Sequence, residues 1–182
     1  MHTRGVVPGG GGEMNDESRA RWFERWQRRV SRAAFRVAYY VYEVRVRLTR
    51  PITIGVRVLL IENNTALLVR HTYRDGWFLP GGGVKRHETL EHAARREAAE
   101  EVGAFEVGTL RLLGVFTNFG EHKSDHVAAF VCIDFAYTGQ HDEEIAQIEA
   151  FPLDRLPENL SPGTARRIAE YRRGEFGLTG RW

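Results

Sequence analysis

The chain contains 182 residues, of which 42% are hydrophobic and 27% are charged. This length fits one domain with a modest extension and is too short for two catalytic domains. The composition is too apolar for a disordered chain and too polar for a bundle of membrane-spanning helices. A single cysteine, Cys132, excludes an internal disulfide and a multi-cysteine metal site. We therefore predict a globular protein of a reducing compartment, the cytoplasm.

The net charge of +2 conceals two parts of opposite sign. Residues 1–50 carry eleven arginines and five acidic residues, whereas residues 51–182 carry fifteen basic and nineteen acidic residues. The glycine-rich residues 1–16 lack apolar periodicity and predict a flexible leader. Residues 17–50 predict a basic helical extension, and residues 51–182 predict the main folded domain.

The extension has the pattern of an amphipathic helix. Between Ser18 and Tyr42, apolar residues recur every three or four positions with arginines between them. The apolar stripe consists of Trp22, Phe23, Trp26, Val30, Ala33, Ala34, Val37 and Tyr40. We favour packing of this stripe on the main domain or on a second copy in a homodimer, because it contains large aromatic side chains. The alternatives are binding to an anionic membrane surface or to the phosphates of a nucleic acid.

The main domain alternates signals for strands and helices. In chain order, strands are predicted at 52–61, 66–70 and 77–79, then a helix over Thr89–Val102, strands at 110–117, 127–135 and 145–151, and a last helix. Thr89 is a suitable N-cap and Gly103 a suitable left-handed C-cap for the first helix. Ser161 and Pro162 mark the start of the last one. This order predicts an α/β or α+β fold with a sheet between helical layers.

The helix Thr89–Val102 concentrates acidic residues on one side. At 100° per residue, Glu97, Glu100 and Glu101 fall within about 100° of arc. Glu97 and Glu101 also continue the apolar stripe that should face the protein, which is formed by Leu90, Ala93 and Ala94. Like charges at this spacing repel each other, and acids at a helix C-terminus oppose the helix dipole. The cluster therefore predicts a bound cation, and a hard divalent cation fits best.

The donor chemistry narrows the choice of cation. Oxygen ligands without cysteine or histidine favour Mg²⁺, or alternatively Mn²⁺, over Zn²⁺. Gly81–Gly83 precede the helix, where bare backbone can approach a phosphate or offer a carbonyl to the metal. The residues alone thus indicate diphosphate chemistry. The alternative is an ordinary charged surface in which Arg95 and Arg96 pair with the glutamates.

The same segment resembles the Nudix box, whose spacing is GX5EX7REUXEEXGU. Gly82, Glu88 and the run Arg96–Gly103 fill every glycine and charged position of that motif. The preceding Trp77–Gly83, WFLPGGG, is similar to the W-x-L-P-G-G-G lead-in of the family. The departures lie outside those positions and comprise Ala98 and Ala104, where larger aliphatic residues are usual, and Lys85-Arg86-His87, where E-x-G is common.

The resemblance covers about residues 52–157 and implies a Nudix-type α/β/α sandwich with a mixed sheet. It implies Mg²⁺-dependent hydrolysis of a nucleoside diphosphate linked to another moiety X, by attack of a metal-activated water on phosphorus. The implied metal ligands are Glu97, Glu100, Glu101 and the carbonyl of Gly81 or Gly82. Arg96 would orient a neighbouring carboxylate, and Glu88 would support the metal site.

Other roles stay open at the level of the sequence. The general base is Glu97 or a carboxylate outside the box, for which Glu121, Glu143 and Glu144 are available. Substrate contacts are predicted at Trp77, Tyr73, Arg74 and Phe119. Two other functions are alternatives: a non-catalytic nucleotide sensor, which would normally have lost part of the carboxylate set, and an RNA-end pyrophosphohydrolase guided by the basic extension.

Overall fold

The computed structural model describes residues 52–119 and 124–182, together with Val37, Tyr39, Tyr40, Val41 and Val44. The predicted leader, most of the predicted extension and Glu121 lie outside these residues. Within the described part, no helix is long and apolar enough to cross a lipid bilayer.

The described domain is built from short strands and two helices. Its strands are β1 (Ile52–Glu62), β2 (Thr65–His71), β3 (Ala104–Phe105), β4 (Arg111–Asn118), β5 (Ser124–Cys132), β6 (Ala136–Tyr137), β7 (Ile145–Pro152) and β8 (Leu178–Arg181). Its helices are α1 (Leu90–Val102) and α2 (Pro162–Arg172).

Most predicted elements are confirmed, and two require correction. β5 ends three residues earlier than predicted, because the chain bends after Cys132 and the Asp134 carbonyl accepts a hydrogen bond of 2.7 Å from the Gly108 N–H. The segment 77–79 is not a continuous strand; Phe78 bridges to Val69, and the residue before it bridges to the loop ahead of α2. The prediction also missed β3, β6 and β8.

The main sheet is mixed, with the strand order β7-β2-β1-β5-β4-β8. β1 pairs parallel with β5 and β4 pairs parallel with β8, whereas the other pairs are antiparallel. One face packs on α1, where Val56, Val58, Ala94 and Ala98 form part of one core. The opposite face packs on α2 and buries a second core, which includes Leu59 and Ile168. The predicted α/β/α sandwich is therefore confirmed.

Local sequence explains where both helices begin. The Thr89 hydroxyl accepts a hydrogen bond of 3.1 Å from the His92 N–H, and α1 ends at Gly103, whose φ of 66° is left-handed. The Ser161 hydroxyl caps α2 in the same way, by accepting from the Thr164 N–H at 3.2 Å. The alanines of α1 let that helix approach the sheet closely.

The glycine segment lies against the edge of β1. The hairpin of β1 and β2 is paired at its turn, and the strands then separate. The Val58 N–H donates to the Pro80 carbonyl and the Val56 N–H donates to the Gly82 carbonyl, both at 2.9 Å. Residues 80–84 thus enter the gap as an extended segment that is hydrogen-bonded to β1, which brings the glycines beside α1.

Tyr39 contacts the domain from the extension. Its ring stacks on that of Tyr73, with the centroids 4.6 Å apart. Val37 and Tyr40, which the apolar pattern placed on the packing stripe, are 64% and 70% exposed. Among the extension residues that the structure describes, the contact with the domain is therefore made by a residue outside the predicted stripe, and packing of the rest of the stripe stays a prediction.

Candidate active site

Two of the three predicted glutamate ligands point from α1 into the domain. Glu97 and Glu101 are 9% and 5% exposed, whereas Glu100 is exposed. Burial of two carboxylates one turn apart is rare without a compensating partner. The inward placement that the helical pattern predicted is therefore present.

Glu101 is held by the glycine segment. The Gly81 N–H donates a hydrogen bond of 2.9 Å to Glu101 Oε2. Burial raises the pKa of Glu101 to about 8, although Arg57 and this hydrogen bond act in the opposite direction. Burial also raises the pKa of Glu97, against the effect of Arg96. For both carboxylates the effect of burial exceeds that of the nearby arginine, so a bound cation would stabilise their charged forms.

The glycines bring bare backbone against the carboxylates. A Cβ atom on Gly82 would lie 2.7 Å from Glu97 Oε2, so a larger residue would displace the carboxylate. Gly81 has a φ of +141°, where a Cβ atom would collide with the backbone of β1. The Gly82 carbonyl accepts from the Val56 N–H. Two carbonyls were predicted as ligands. In the described residues, the Gly82 carbonyl is hydrogen-bonded to β1 and the Gly81 carbonyl is not.

Arg96 connects the other carboxylates of the motif. Its Nε donates to Glu88 Oε1 at 2.7 Å and its Nη2 donates to Glu88 Oε2 at 2.9 Å. Its Nη1 donates to Glu97 Oε1 at 2.6 Å and to Glu100 Oε2 at 2.9 Å. The bonds that Glu88 accepts from Arg96, and then the one from the Lys85 N–H, hold the pKa of Glu88 down at about 2. Glu88 anchors the guanidinium through two bonds, and the orienting role of Arg96 stays a prediction.

The donor set fits a divalent cation in chemistry, although the ligands are not gathered around one point. In residues 52–119 and 124–182, no three acidic, histidine or cysteine side chains form a ready coordination shell. Instead Arg96 neutralises Glu97 and Glu100, and Gly81 binds Glu101. The cluster is nevertheless made of oxygen donors with two buried carboxylates of raised pKa, which suits a hard cation.

The loop before β7 adds two carboxylates. The Asp142 N–H donates to the Glu100 carbonyl at 3.0 Å, and Asp142 Oδ1 accepts from the Glu144 N–H at 3.0 Å. Burial raises the pKa of Glu144, and Asp142, Glu97 and Glu100 raise it further. The structure thus brings Glu144 to the site; Glu143 is exposed. Sequence reasoning had considered Glu144 but had missed Asp142.

The four predicted substrate contacts separate into two groups. Tyr73 and Arg74 line a cavity of about 330 Å³. Trp77 does not line it: the side chain is 7% exposed and packs edge-on against Phe151 at 4.9 Å between centroids. Phe119 is 61% exposed and also lies outside the lining. Within the described residues, Trp77 is therefore a core residue and Phe119 a surface residue.

Arg57 and His71 line the same cavity and were missed by sequence reasoning. Arg57 interrupts a strand of β-branched and aliphatic residues, so its position in β1 was an available signal. His71 ends β2 and is 7% exposed. Both residues reach the cavity only because distant parts of the chain fold together, which the sequence does not show.

Comparison with known proteins decides the family. A family model of the NUDIX domain matches residues 51–171. The chain belongs to the Nudix family. This membership makes the chain a hydrolase of phosphorus anhydrides, the class to which relatives named pyrophosphohydrolase or diphosphatase belong.

Curated Nudix relatives share different lengths of the chain. An ADP-ribose pyrophosphatase of Methanocaldococcus jannaschii is 29% identical over 129 residues, which are 68% of this chain and 75% of that protein. Diphosphoinositol polyphosphate phosphohydrolase 2 of Rattus norvegicus is 45% identical over 58 residues, which are 31% of each protein. The chain thus spans less than a third of the rat enzyme. This matched segment is shorter than the one shared with the Methanocaldococcus jannaschii enzyme but has a higher identity.

Solved structures of other proteins agree with the fold. A MutT NUDIX hydrolase from Burkholderia pseudomallei has a TM-score of 0.60 at 22% identity, over 65% of this chain and 97% of that one. A UDP-X diphosphatase has a TM-score of 0.54 at 25% identity, over 79% of this chain and 74% of that one.

Proposed function

We propose that this Nudix chain is a Mg²⁺-dependent pyrophosphohydrolase that cleaves the diphosphate linkage of a nucleoside diphosphate joined to another moiety X. The observation that carries the proposal is the buried carboxylate cluster of α1, organised by Arg96 and placed against the glycine segment. Mn²⁺ is the alternative cation, because it accepts the same oxygen ligands.

The proposed metal ligands are Glu97, Glu100, Glu101 and the Gly81 carbonyl. We favour this carbonyl over that of Gly82, which already accepts a hydrogen bond from β1. When bound, the cation would polarise the diphosphate and lower the pKa of a water nucleophile. Metal binding would require Glu97 and Glu100 to give up part of their hydrogen bonding to Arg96 Nη1. Glu88 would still hold the Arg96 guanidinium in place.

We assign the role of general base to Glu144. A base must be close to the site and must be able to accept a proton. Glu97 is engaged by Arg96, whereas no hydrogen bond or ion pair to the Glu144 side chain occurs within the described part of the chain. Its raised pKa makes the Glu144 carboxylate a stronger base toward water than an ordinary glutamate. Glu121 lies outside the described residues and stays an alternative.

The identity of X is a matter for experiment, since the relatives differ in their names. They include an ADP-ribose pyrophosphatase and an RNA pyrophosphohydrolase. The RNA-end alternative, the homodimer and the cytoplasmic location stay predictions. The sensor alternative is disfavoured because every glutamate of the box is retained.

A substrate screen tests the proposal. Dinucleoside polyphosphates, nucleoside triphosphates, nucleotide sugars and RNA ends would each be incubated with Mg²⁺, and phosphate would be measured after a coupling phosphatase. We expect at least one class to be hydrolysed, with EDTA and Glu97→Gln each abolishing the activity. Hydrolysis that persists in Glu97→Gln, or none in any class, would contradict the proposed function.

A further inference from the structure

Two cavities meet beside the candidate active site. The larger, of about 330 Å³, is lined by Tyr73, Arg74 and the start of α2. The smaller, of about 160 Å³, is lined by Gly82 and Gly83 of the glycine segment. Both are also lined by Arg57, Asp125 and Val127, so they adjoin at Arg57. Arg57 therefore lies between the larger cavity and the glycines beside the carboxylates.

Two side chains that line the larger cavity carry buried polar atoms without a hydrogen-bond partner. Three side-chain atoms are buried without a hydrogen-bond partner in the part of the chain that the structure describes: Arg57 Nη1, His71 Nδ1 and Thr72 Oγ1. Arg57 and His71 line the larger cavity, and Thr72 is the next residue along the chain. A buried polar group without a partner costs roughly 1–3 kcal/mol. The unpaired atoms of Arg57 and His71 in one lining indicate a ligand that carries hydrogen-bonding atoms.

The charge of the larger cavity indicates the sign of that ligand. Among the described residues, Arg57, Arg74 and Arg166 line it together with one carboxylate side chain, that of Asp125, which accepts a hydrogen bond of 2.8 Å from Thr53 Oγ1. Burial, Arg57 and Arg74 together lower the pKa of His71 to about 3, so His71 is neutral near pH 7. The described part of the lining therefore contains more basic than acidic side chains and suits an anion.

Arg57 is the cation best placed to bind the anion. No hydrogen bond or ion pair joins its guanidinium to another of the described residues. It lies near enough to Glu101 to lower the pKa of that carboxyl, but without a direct ion pair. A guanidinium presents several N–H donors in a planar arrangement that matches phosphate oxygens.

We propose that Arg57 binds a phosphate group of the substrate at the junction of the two cavities, so that the phosphorylated remainder of the substrate occupies the larger cavity. The inference rests on the proposed function and adds to it a specificity residue outside the Nudix box. It also predicts the ligand class of the larger cavity: an organic group that still carries phosphate when the diphosphate has been cleaved.

Binding of inorganic pyrophosphate in EDTA tests the proposal without metal or turnover. Isothermal titration calorimetry would compare the wild type with Arg57→Gln, Arg57→Lys and a control, Arg155→Gln, whose side chain is exposed and lines neither cavity. We expect Arg57→Gln to weaken binding about tenfold or more, Arg57→Lys to weaken it less, and the control to match the wild type. Equal affinities for the wild type and Arg57→Gln, or no measurable binding to the wild type, would overturn the proposal.

Kinetics separate this proposal from the proposed function. On the best substrate of the screen, Arg57→Gln should raise KM more than it lowers kcat, because the contact is made with the bound substrate. If Arg57 only balanced the charge of Glu101, its replacement would change the metal and pH dependence of kcat and leave the pyrophosphate affinity unchanged, which would overturn the proposal. Failure of the wild type to hydrolyse any substrate would instead contradict the proposed function, while the calorimetry would still decide the role of Arg57.

Discussion

Glu101 occupies a position where its negative charge opposes folding in the absence of a cation. Burial raises its pKa from 4.5 to about 8, and the Gly81 N–H is the hydrogen-bond donor that faces it. The folded state therefore favours the protonated form more strongly than the unfolded chain does. This contribution is neutral below pH 4.5 and becomes destabilising as the pH rises toward 8.

We predict that Glu101→Gln stabilises the metal-free protein increasingly as the pH rises. From pH 4 to pH 8, the difference in unfolding free energy between the variant and the wild type should grow by about 4 kcal/mol, because Gln carries no charge to bury. Urea unfolding in EDTA at several pH values measures this difference, with Glu62→Gln at an exposed site as the control.

Addition of Mg²⁺ should reduce that difference, since a cation that binds the folded wild type stabilises it. A difference that does not change with pH, or a variant less stable than the wild type at pH 8, would show that the charge of Glu101 is already compensated in the metal-free fold.

Among the helices and strands, those that depend on interactions between residues close in the chain could be predicted from the sequence. Helix α1 was predictable because Thr89, Gly103 and the alanine-rich interior act within one segment. Strand β8 was missed because its four residues, LTGR, form a strand by pairing with β4, more than 60 residues earlier. Trp77 was misassigned because an aromatic residue beside a glycine segment fits a core as well as a ligand site.

The extension provides a further prediction. Tyr39 lines the larger cavity and stacks on Tyr73, whereas Tyr40 is 70% exposed and does not line it. We predict that Tyr39→Ala raises KM about fivefold, the effect of losing about 1 kcal/mol of aromatic contact, and leaves kcat within about twofold of the wild-type value. Tyr40→Ala is the matched control. Equal KM values for the two variants would mean that the extension does not contribute to substrate binding.

In the whole domain, the two helical layers provide different parts of the site. Helix α1 brings the carboxylates to one face of the sheet, and the start of α2 lines the larger cavity. β1 and β2 separate beyond their turn, and the glycine segment enters the gap between them. This segment lies between the carboxylates and the larger cavity. The sequence predicted the carboxylates because they recur within one helix. Arg57 and Glu144 reach the site only through folding of β1 and the loop before β7 against α1.

The proposed hydrolysis requires the α1 carboxylates to be ligands of a divalent cation. Titration of Mn²⁺ into the metal-free protein, followed by electron paramagnetic resonance of the free ion, tests it directly. We predict saturable binding that Mg²⁺ displaces and that Glu97→Gln weakens at least about tenfold, with Glu62→Gln unchanged. Equal Mn²⁺ affinity in the wild type and Glu97→Gln, or no binding to the wild type, would contradict this requirement.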